Sequence, residues 1–251
     1  MSVSRIVLER RLTEWLSPDS YSDYCPNGLQ VEGSGQVSSI ITGVTACQAL
    51  IDVAVECNAQ VLLVHHGFFW RGEDARIVGM KRSRLRSLLA NDINLFAYHL
   101  PLDYHAELGN NQQLAKQLGF SVDGVLGDAK QPAGLIGSLQ SPVTGTQLSR
   151  IVAERLGREP LHIPAEREIR RIAWCTGAAQ GFIEQAVAAG VDAFLTGEAS
   201  EPTVHIARES GIHFFAAGHH ATERYGIQAL GEKLADEFGL QHRFVDIDNP
   251  V

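Results

Sequence analysis

The stretch that decides the fold of this chain is Val61-Leu62-Leu63-Val64-His65-His66-Gly67-Phe68-Phe69-Trp70. Its four branched apolar residues predict a short buried strand. Neighbouring side chains of a regular strand point to opposite faces, so the two histidines can serve one site only where the strand stops. Gly67 lets the backbone turn at that point. The stretch therefore predicts a strand end that presents either two imidazole ligands to a metal, or one buried and one exposed histidine.

The size and charge of the chain are those of a globular protein. It has 251 residues, of which 45% are hydrophobic and 20% charged, enough for one large domain or two smaller ones. The net charge of −8 argues against a broad phosphate-binding surface, so no nucleic-acid partner is expected. The basic cluster formed by Lys81, Arg82, Arg84 and Arg86 is interpreted as the solvated face of a helix, although it could also attract a phosphorylated substrate.

The cysteine pattern and the short apolar segments indicate the cellular compartment in which we expect the protein. The four cysteines form no CxxC pair and no disulfide framework. Charged residues interrupt the amino-terminal segment, and no apolar run approaches the roughly 20 residues that span a bilayer. We therefore expect a cytoplasmic protein with reduced thiols and no membrane partner.

Strand-like and helix-like apolar patterns alternate along the chain. The predicted strands are 37–44, 61–64, 93–98, 134–139, 169–175, 192–195, 212–216 and 241–246. The predicted helices are 3–16, 46–57, 81–91, 110–118, 146–156, 180–189, 201–210 and 221–238. The segment 20–35 is interpreted as loop and turns because it holds Pro26, Asn27-Gly28 and Gly33. This alternation predicts an α/β fold with sheets covered by helices.

One part of the chain recurs. A shift of 132 positions lays Gln48–Leu63 on Gln180–Leu195 with several identical or similar residues, and Ile93–Ala97 resembles Ile212–Ala216. Any two strand–helix–strand units look alike to some degree, but two matched blocks in the same order favour two similar α/β lobes. The predicted lobes are residues 1–125 with 217–251, and residues 126–216.

Three polar clusters follow three predicted strands, at the carboxyl ends where open α/β sheets gather ligands. They are His65-His66, His99-Leu100-Pro101-Leu102-Asp103 and Gly218-His219-His220-Ala221-Thr222-Glu223. His219 and Glu223 are four residues apart and would share one face of a helix, although His220 could pair with Glu223 at a spacing of three. Each carboxylate could instead complement a turn or a helix end.

Jointly, the three clusters favour a metal site over isolated structural side chains. Two or three imidazoles plus two carboxylates exceed what one tetrahedral zinc needs, and a carboxylate can bridge two ions. The donor set predicts two divalent transition-metal ions per subunit, with Zn, Fe, Mn and Ni all compatible. The site is expected at strand carboxyl ends between the lobes.

The motifs around His65-His66, His99–Asp103, Thr196-Gly197-Glu198 and Gly218–Glu223, in this order, resemble those of the Nif-three-like family. The resemblance covers nearly the whole chain, including Asn27-Gly28-Leu29-Gln30-Val31. It is strongest to the short bacterial YbgI-type members, named GTP cyclohydrolase 1 type 2 homologues. It implies two similar α/β lobes, a dinuclear metal centre and a toroidal homohexamer with the metal sites facing the interior.

Carried over to this sequence, the family's metal ligands fall on His65, His66, Asp103, His219 and Glu223. This choice favours His219 over His220. Many relatives have proline where this chain has Gly67, a departure that alters the loop and leaves the ligand set intact.

His99 and Glu198 are left near the site without a metal-binding role. Our hypothesis is that one of them acts as acid, base or partner of a ligand; a hydrogen bond that only fixes a loop is the alternative. Trp70-Arg71-Gly72 could contact a planar, anionic substrate, or could form an ordinary exposed loop.

Two functions are compatible with these residues. The first is a dinuclear metal-dependent hydrolase that acts on a nucleotide or related small molecule through metal-bound hydroxide, with GTP ring opening implied by the family's name. The second is a ring-shaped metal-binding scaffold whose metals are structural or regulatory. Five protein ligands around two ions leave positions for water, which favours catalysis.

Overall fold

The structure, a computed structural model, describes residues 1–128 and 131–251. It divides into two compact units: unit 1 comprises Met1–Leu108 and Ile227–Asp248, and unit 2 comprises Gly109–Gly226 and Asn249–Val251. Apart from its last three residues, unit 2 is thus inserted between the two segments of unit 1 along the chain. These bounds differ from the predicted lobes, 1–125 with 217–251 and 126–216.

Strands and helices are interspersed along the chain. The strands are β1 (Val3–Ser4), β2 (Gly28–Val31), β3 (Gln36–Val37), β4 (Ser39–Thr45), β5 (Val61–His66), β6 (Asn94–Ala97), β7 (Ser121–Asp128), β8 (Gln131–Val143), β9 (Leu161–Ile163), β10 (Ile169–Trp174), β11 (Ala193–Thr196), β12 (His213–Ala216) and β13 (Gln241–Phe244). The helices are α1 (Arg5–Leu16), α2 (Gln48–Glu56), α3 (Gly79–Ala90), α4 (Leu100–Asp103), α5 (Asn110–Leu118), α6 (Gly145–Leu156), α7 (Ile183–Ala188), α8 (Glu201–Ser210), α9 (His219–Thr222) and α10 (Arg224–Phe238). No helix among the described residues is long and apolar enough to cross a membrane.

Unit 1 is built on a five-stranded sheet in the order β13-β4-β5-β6-β2. Its first four strands are parallel, and β2 pairs antiparallel with β6 at the edge. Alternate residues of β5 enter two apolar clusters: Leu62 packs with Leu50 of α2, whereas Leu63 packs with Leu8 of α1. Burial on both faces explains why β5 reads as a continuous apolar run.

The strand β2 contradicts the interpretation of residues 20–35 as loop and turns. Leu29 pairs with Phe96 of β6, and the register shifts before Val31, which pairs with Leu95. Four residues flanked by turn formers carry too little local signal to predict a strand, and the edge of β6 supplies the hydrogen bonds that make it one.

Unit 2 is built on a six-stranded sheet in the order β7-β8-β10-β11-β12-β9. The central strands β10, β11 and β12 are parallel, and the outer ones are antiparallel. Leu114 and Leu118 of α5 are buried in the same cluster as Trp174 of β10. This packing places α5 in unit 2, although the predicted boundary left it in the first lobe.

Corresponding strands of the two units pair in the same register within each unit, which confirms the internal repeat. In unit 1 Ile40 of β4 pairs with Val61 of β5, and the shift of 132 positions turns this pair into Ile172 and Ala193, which also pair. The next strand agrees too, because Leu63 pairs with Phe96 and its counterpart Leu195 pairs with Phe215. The fold is therefore α/β, with two similar lobes.

Candidate metal-binding residues in each unit

His65 and His66 are the last two residues of β5. The prediction that this strand ends at Val64 is wrong, because the parallel ladder continues until His66 pairs with Thr45. The two rings nevertheless lie together, with centroids 4.5 Å apart. The strand end therefore brings both imidazoles to one place without a turn between them.

Each of these histidines has its Nδ1 beside an oxygen atom. His65 is fully buried, and its Nδ1 lies 2.9 Å from the carbonyl oxygen of Tyr98. A carbonyl oxygen only accepts, so Nδ1 carries the proton and Nε2 keeps its lone pair in the neutral ring. His66 Nδ1 lies 3.2 Å from Thr45 Oγ1. These contacts fix the orientation of both rings, as hydrogen bonds to the second nitrogen of metal-binding histidines do.

Asp103 comes from the helical turn after β6. It is the last residue of α4, where Pro101 fits the first turn because its missing N–H is not needed there. Its carboxylate is buried, and Oδ1 lies 3.5 Å from His65 Nε2. The structure thus brings three of the sequence-predicted ligands together within unit 1.

His99 joins the same group through its position at the start of α4. One nitrogen atom each of His65, His66 and His99 lies within 4.8 Å of the others, close enough to hold a metal ion. His99 Nδ1 lies 2.7 Å from Asp23 Oδ1, so its Nε2 is likewise left as the acceptor nitrogen of the neutral ring. Sequence reasoning placed His99 near the site but missed Asp23.

Asp23 is a hydrogen-bond hub whose side chain is only 4% exposed. Besides His99, its carboxylate accepts hydrogen bonds from the backbone N–H groups of Tyr24 and Leu100 and from the amide of Asn27. Burial by itself raises the pKa of Asp23, but the hydrogen bonds from His99 and Asn27 outweigh it and lower the pKa from 3.8 to about 2. Asp23 therefore stays ionised at neutral pH.

The early loop positions the histidine-bearing segments from a distance along the chain. Asn27 Oδ1 accepts the backbone N–H of His99 at 2.7 Å, and Gln30 Oε1 accepts that of Phe68 at 2.7 Å. The Asn27–Val31 motif is part of the family resemblance, which implies no role for it. Its role here is to fix the backbone that follows β5 and β6.

In unit 2, His219 and Glu223 lie next to each other across a helix break. The predicted continuous helix 221–238 is wrong, because α9 ends at Thr222 and α10 begins at Arg224, with Glu223 between them. His219 Nε2 still lies 3.2 Å from Glu223 Oε2. The carboxylate thus meets His219 as the spacing of four predicted, and it is almost fully buried.

Glu198, two residues after the end of β11, contacts the other side of the His219 ring. Its Oε1 lies 2.7 Å from His219 Nδ1, so the ring stands between two carboxylates. Burial alone lowers the pKa of His219, but the hydrogen bonds and charges of Glu223 and Glu198 raise it from 6.5 to about 9. Without a metal, the ring is protonated at neutral pH and joins the two carboxylates.

Gly177 makes room for Glu223, and sequence reasoning missed it. Its φ is 69°, in the left-handed region, and an added Cβ would collide with Glu223 Oε1 and lie 3.2 Å from His219 Nε2. Its N–H donates to Thr222 Oγ1 at 3.0 Å. A glycine after an apolar strand was the available signal, but strand ends often carry glycine for other reasons.

Comparisons with known proteins agree with one another. The family model described as Duf34/NIF3 (NGG1p interacting factor 3) matches residues 1–250. A GTP cyclohydrolase 1 type 2 homolog of Pseudomonas aeruginosa is 58% identical, with 100% of both chains covered. Its counterpart in Escherichia coli (strain K12) is 54% identical over 97% of this chain and 98% of its own.

Solved structures show the same fold. A structure described as protein ybgI, of unknown function, superposes with a TM-score of 0.96 at 52% identity and covers 99% of this chain and 100% of its own. TTHA1606 from Thermus thermophilus gives a TM-score of 0.90 at 33% identity, with the same coverage. Reduced HcgD from Methanocaldococcus jannaschii, at 20% identity and a TM-score of 0.84, shares the fold and covers 99% of both chains.

Proposed function

The chain belongs to the Duf34/NIF3 family, and from this premise we propose that it is a dinuclear metal-dependent hydrolase. Its substrate is a nucleotide or a related small molecule. The proposed ligands of the two divalent ions, of the Zn, Fe, Mn or Ni type, are His65, His66, Asp103, His219 and Glu223.

One observation carries the proposal: every proposed histidine ligand has Nδ1 beside an oxygen atom. The partners are the Tyr98 carbonyl for His65, Thr45 Oγ1 for His66 and the Glu198 carboxylate for His219. Metal-binding histidines characteristically use their second nitrogen in this way, which fixes the ring and makes Nε2 more basic. Carboxylates lie 3.5 Å from Nε2 of His65 and 3.2 Å from Nε2 of His219. The residues present in each unit have the donor chemistry and the ring-fixing partners of metal ligands.

When bound, a pair of divalent ions would supply an activated water and positive charge that stabilises the transition state of hydrolysis. The protein's part is orientation and proton handling. Glu198 holds the His219 ring, and Asp23 holds His99 so that its Nε2 can take up or release a proton beside the histidine pair. His99 and Glu198 are therefore proposed as the acid–base and positioning residues.

The reaction is proposed at two levels. Relatives more than 50% identical are named GTP cyclohydrolase 1 type 2 homologs, and purine ring opening is a hydrolysis that an activated water can perform. We propose hydrolysis of a nucleotide-like compound as the general function, with GTP ring opening as its specific form. We also propose a homohexamer, because that assembly is implied by the family.

The first experiment measures metal and turnover together. Wild-type protein purified without chelator should hold two equivalents of metal per subunit and hydrolyse at least one compound of a panel of nucleotides and phosphoesters. The double variant His65→Ala, Glu223→Ala should lose both properties. His205→Ala is a matched control, because His205 is exposed and, among the described residues, its ring is hydrogen-bonded to Glu201 of the same helix.

Two results would contradict the proposal. Less than one equivalent of metal under all loading conditions would refute the dinuclear site. Two equivalents without turnover above the background of the double variant would refute the hydrolase and favour the metal-binding scaffold. The mass in solution, measured by light scattering, tests the hexamer separately.

A further inference from the structure

Two aromatic side chains flank His99 in unit 1. The ring of Trp70 lies 5.0 Å from that of His99 in an edge-on arrangement, and the ring of Tyr24 lies 5.9 Å from it. Trp70 is also 5.9 Å from His66. Tyr24 is 57% exposed although it stands beside this polar group. Large aromatic surface left open next to candidate metal ligands is available for a ligand.

The loop that carries Trp70 is tied by hydrogen bonds on both sides of the indole. The indole Nε1 donates to the Gly67 carbonyl at 3.2 Å, and the Trp70 backbone N–H donates to Glu73 Oε2 at 3.1 Å. Phe69, just before it, has a φ of 65°, a left-handed conformation that costs free energy in a residue with a bulky side chain. A strained, well-bonded loop presents the indole in one orientation, which reduces the entropy lost on binding.

Arg71 joins this loop to the one that carries Tyr24. Its backbone N–H donates to the Tyr24 carbonyl at 2.7 Å, and its Nη2 donates to the Asp23 carbonyl at 2.9 Å. Within the described residues, the guanidinium is thus bonded to a neutral carbonyl oxygen, and it is exposed. Its charge is available to a phosphate or carboxylate, which guanidinium groups bind in a fork-like geometry.

We propose that Tyr24, Trp70 and Arg71 form a substrate subsite for a planar heteroaromatic ring that carries an anionic group, as in a nucleoside phosphate. This inference rests on the proposed function and specifies its substrate class. The ring packs against the aromatic side chains next to His99, and the anionic group pairs with Arg71. Stacking on aromatic side chains tolerates different bases because every base has a π-face.

The test compares two ligands that differ only in the ring. Binding of guanosine monophosphate and of ribose 5-phosphate to Mn²⁺-loaded protein is measured by calorimetry. We expect the nucleotide to bind at least about tenfold more tightly. Tyr24→Leu should abolish this advantage, whereas Tyr24→Phe, which keeps the ring, should retain it. Leu161→Ala, at an exposed apolar residue of unit 2, is the control and should leave both affinities unchanged.

Two further variants distinguish the contribution of the base to the affinity from the contribution of the phosphate. Arg71→Gln should weaken both ligands by a similar factor, because both carry the phosphate. Trp70→Phe should keep most of the nucleotide affinity but lose the quenching of tryptophan fluorescence by the nucleotide. Melting temperatures near that of the wild type would show that the variants fold, as expected for exposed Tyr24 and Arg71.

The subsite and the hydrolase can fail independently. Equal binding of the two ligands, or a nucleotide affinity unchanged by Tyr24→Leu, would overturn the subsite even if metal-dependent turnover is found. A ring preference that disappears in Tyr24→Leu would support the subsite even if no compound is hydrolysed.

Discussion

Replacing Asp23 by asparagine should lower the free energy of unfolding of the chelator-treated protein by about 2 kcal/mol at pH 7. The pKa of Asp23 falls from 3.8 to about 2, and each pH unit of such a difference corresponds to about 1.36 kcal/mol. The geometry gives the same direction. Each carboxylate oxygen faces two donors, so an amide nitrogen placed at either oxygen meets N–H groups that it cannot accept.

The effect has a defined pH dependence. Because the pKa of Asp23 is lower in the folded chain than its ordinary value, its stabilisation is fully present above pH 3.8 and is lost as the pH falls through about 2. The difference between wild type and Asp23→Asn should therefore be constant from pH 7 to about 5 and shrink below about 4.

The assay is urea denaturation followed by circular dichroism at several pH values, with metal removed so that ligand binding does not contribute. Asp19→Asn is the control, because Asp19 is exposed, and it should change the stability by less than about 0.5 kcal/mol. A stability of Asp23→Asn within that margin of the wild type would refute the assigned role of the four donors. A difference that grows toward acid pH would refute the sign of the pKa change.

The remaining predictions concern unit 2. Gly177→Ala should lower the melting temperature and the metal affinity, because the added Cβ collides with Glu223. Gly211→Ala, with a φ of 63° and open space around it, isolates the backbone cost of about 1 kcal/mol, and an equal effect of the two variants would contradict the collision. In chelator-treated protein, the pKa of His219 measured by NMR should be near 9. The protonated ring should therefore stabilise the folded chain fully below pH 6.5, and this stabilisation should be lost as the pH rises through about 9. Glu198→Gln should lower that pKa and weaken metal binding by about tenfold or more, measured by competition with a chromophoric chelator; an unchanged affinity would leave Glu198 with a loop-fixing role only.

Local signals in the sequence predicted the elements whose ends they mark. The bounds of α5 and α8 are confirmed to the residue, since Gly119 and Gly211 end these helices in left-handed conformations and Pro202 lies in the first turn of α8. The break before α10 was missed because the apolar periodicity runs on through Glu223 and nothing local interrupts it. Strand β2 was missed for the opposite reason, because its pairing depends on β6 far along the chain.

The residues that orient the site were less predictable than the proposed ligands. Histidines and carboxylates at strand ends stand out by chemical type, and a family pattern can be matched to them. Asp23 and Asn27 act on His99 across 76 and 72 positions, and no spacing rule connects a loop residue to a partner that far away. Such partners become visible only when the sheet places the loops side by side.

The repeat explains why β11 of unit 2 is not followed by a counterpart of the His65-His66 pair. Under the shift of 132 positions His65 corresponds to Gly197, and under the register of the next strand Leu100 corresponds to His219. A Cβ at Gly197 would lie 2.6 Å from both the Gly177 carbonyl oxygen and the His219 Cα. No side chain therefore fits at the position that holds His65 in unit 1. In unit 2 the segment after β11 supplies Glu198, and the segment after β12 supplies His219. The His219 ring is hydrogen-bonded to the Glu198 carboxylate. In unit 1 an imidazole comes from His65 at the end of β5. In unit 2 the backbone after β12 occupies the space that a counterpart of His65 would need, so the imidazole comes from His219 after β12 instead.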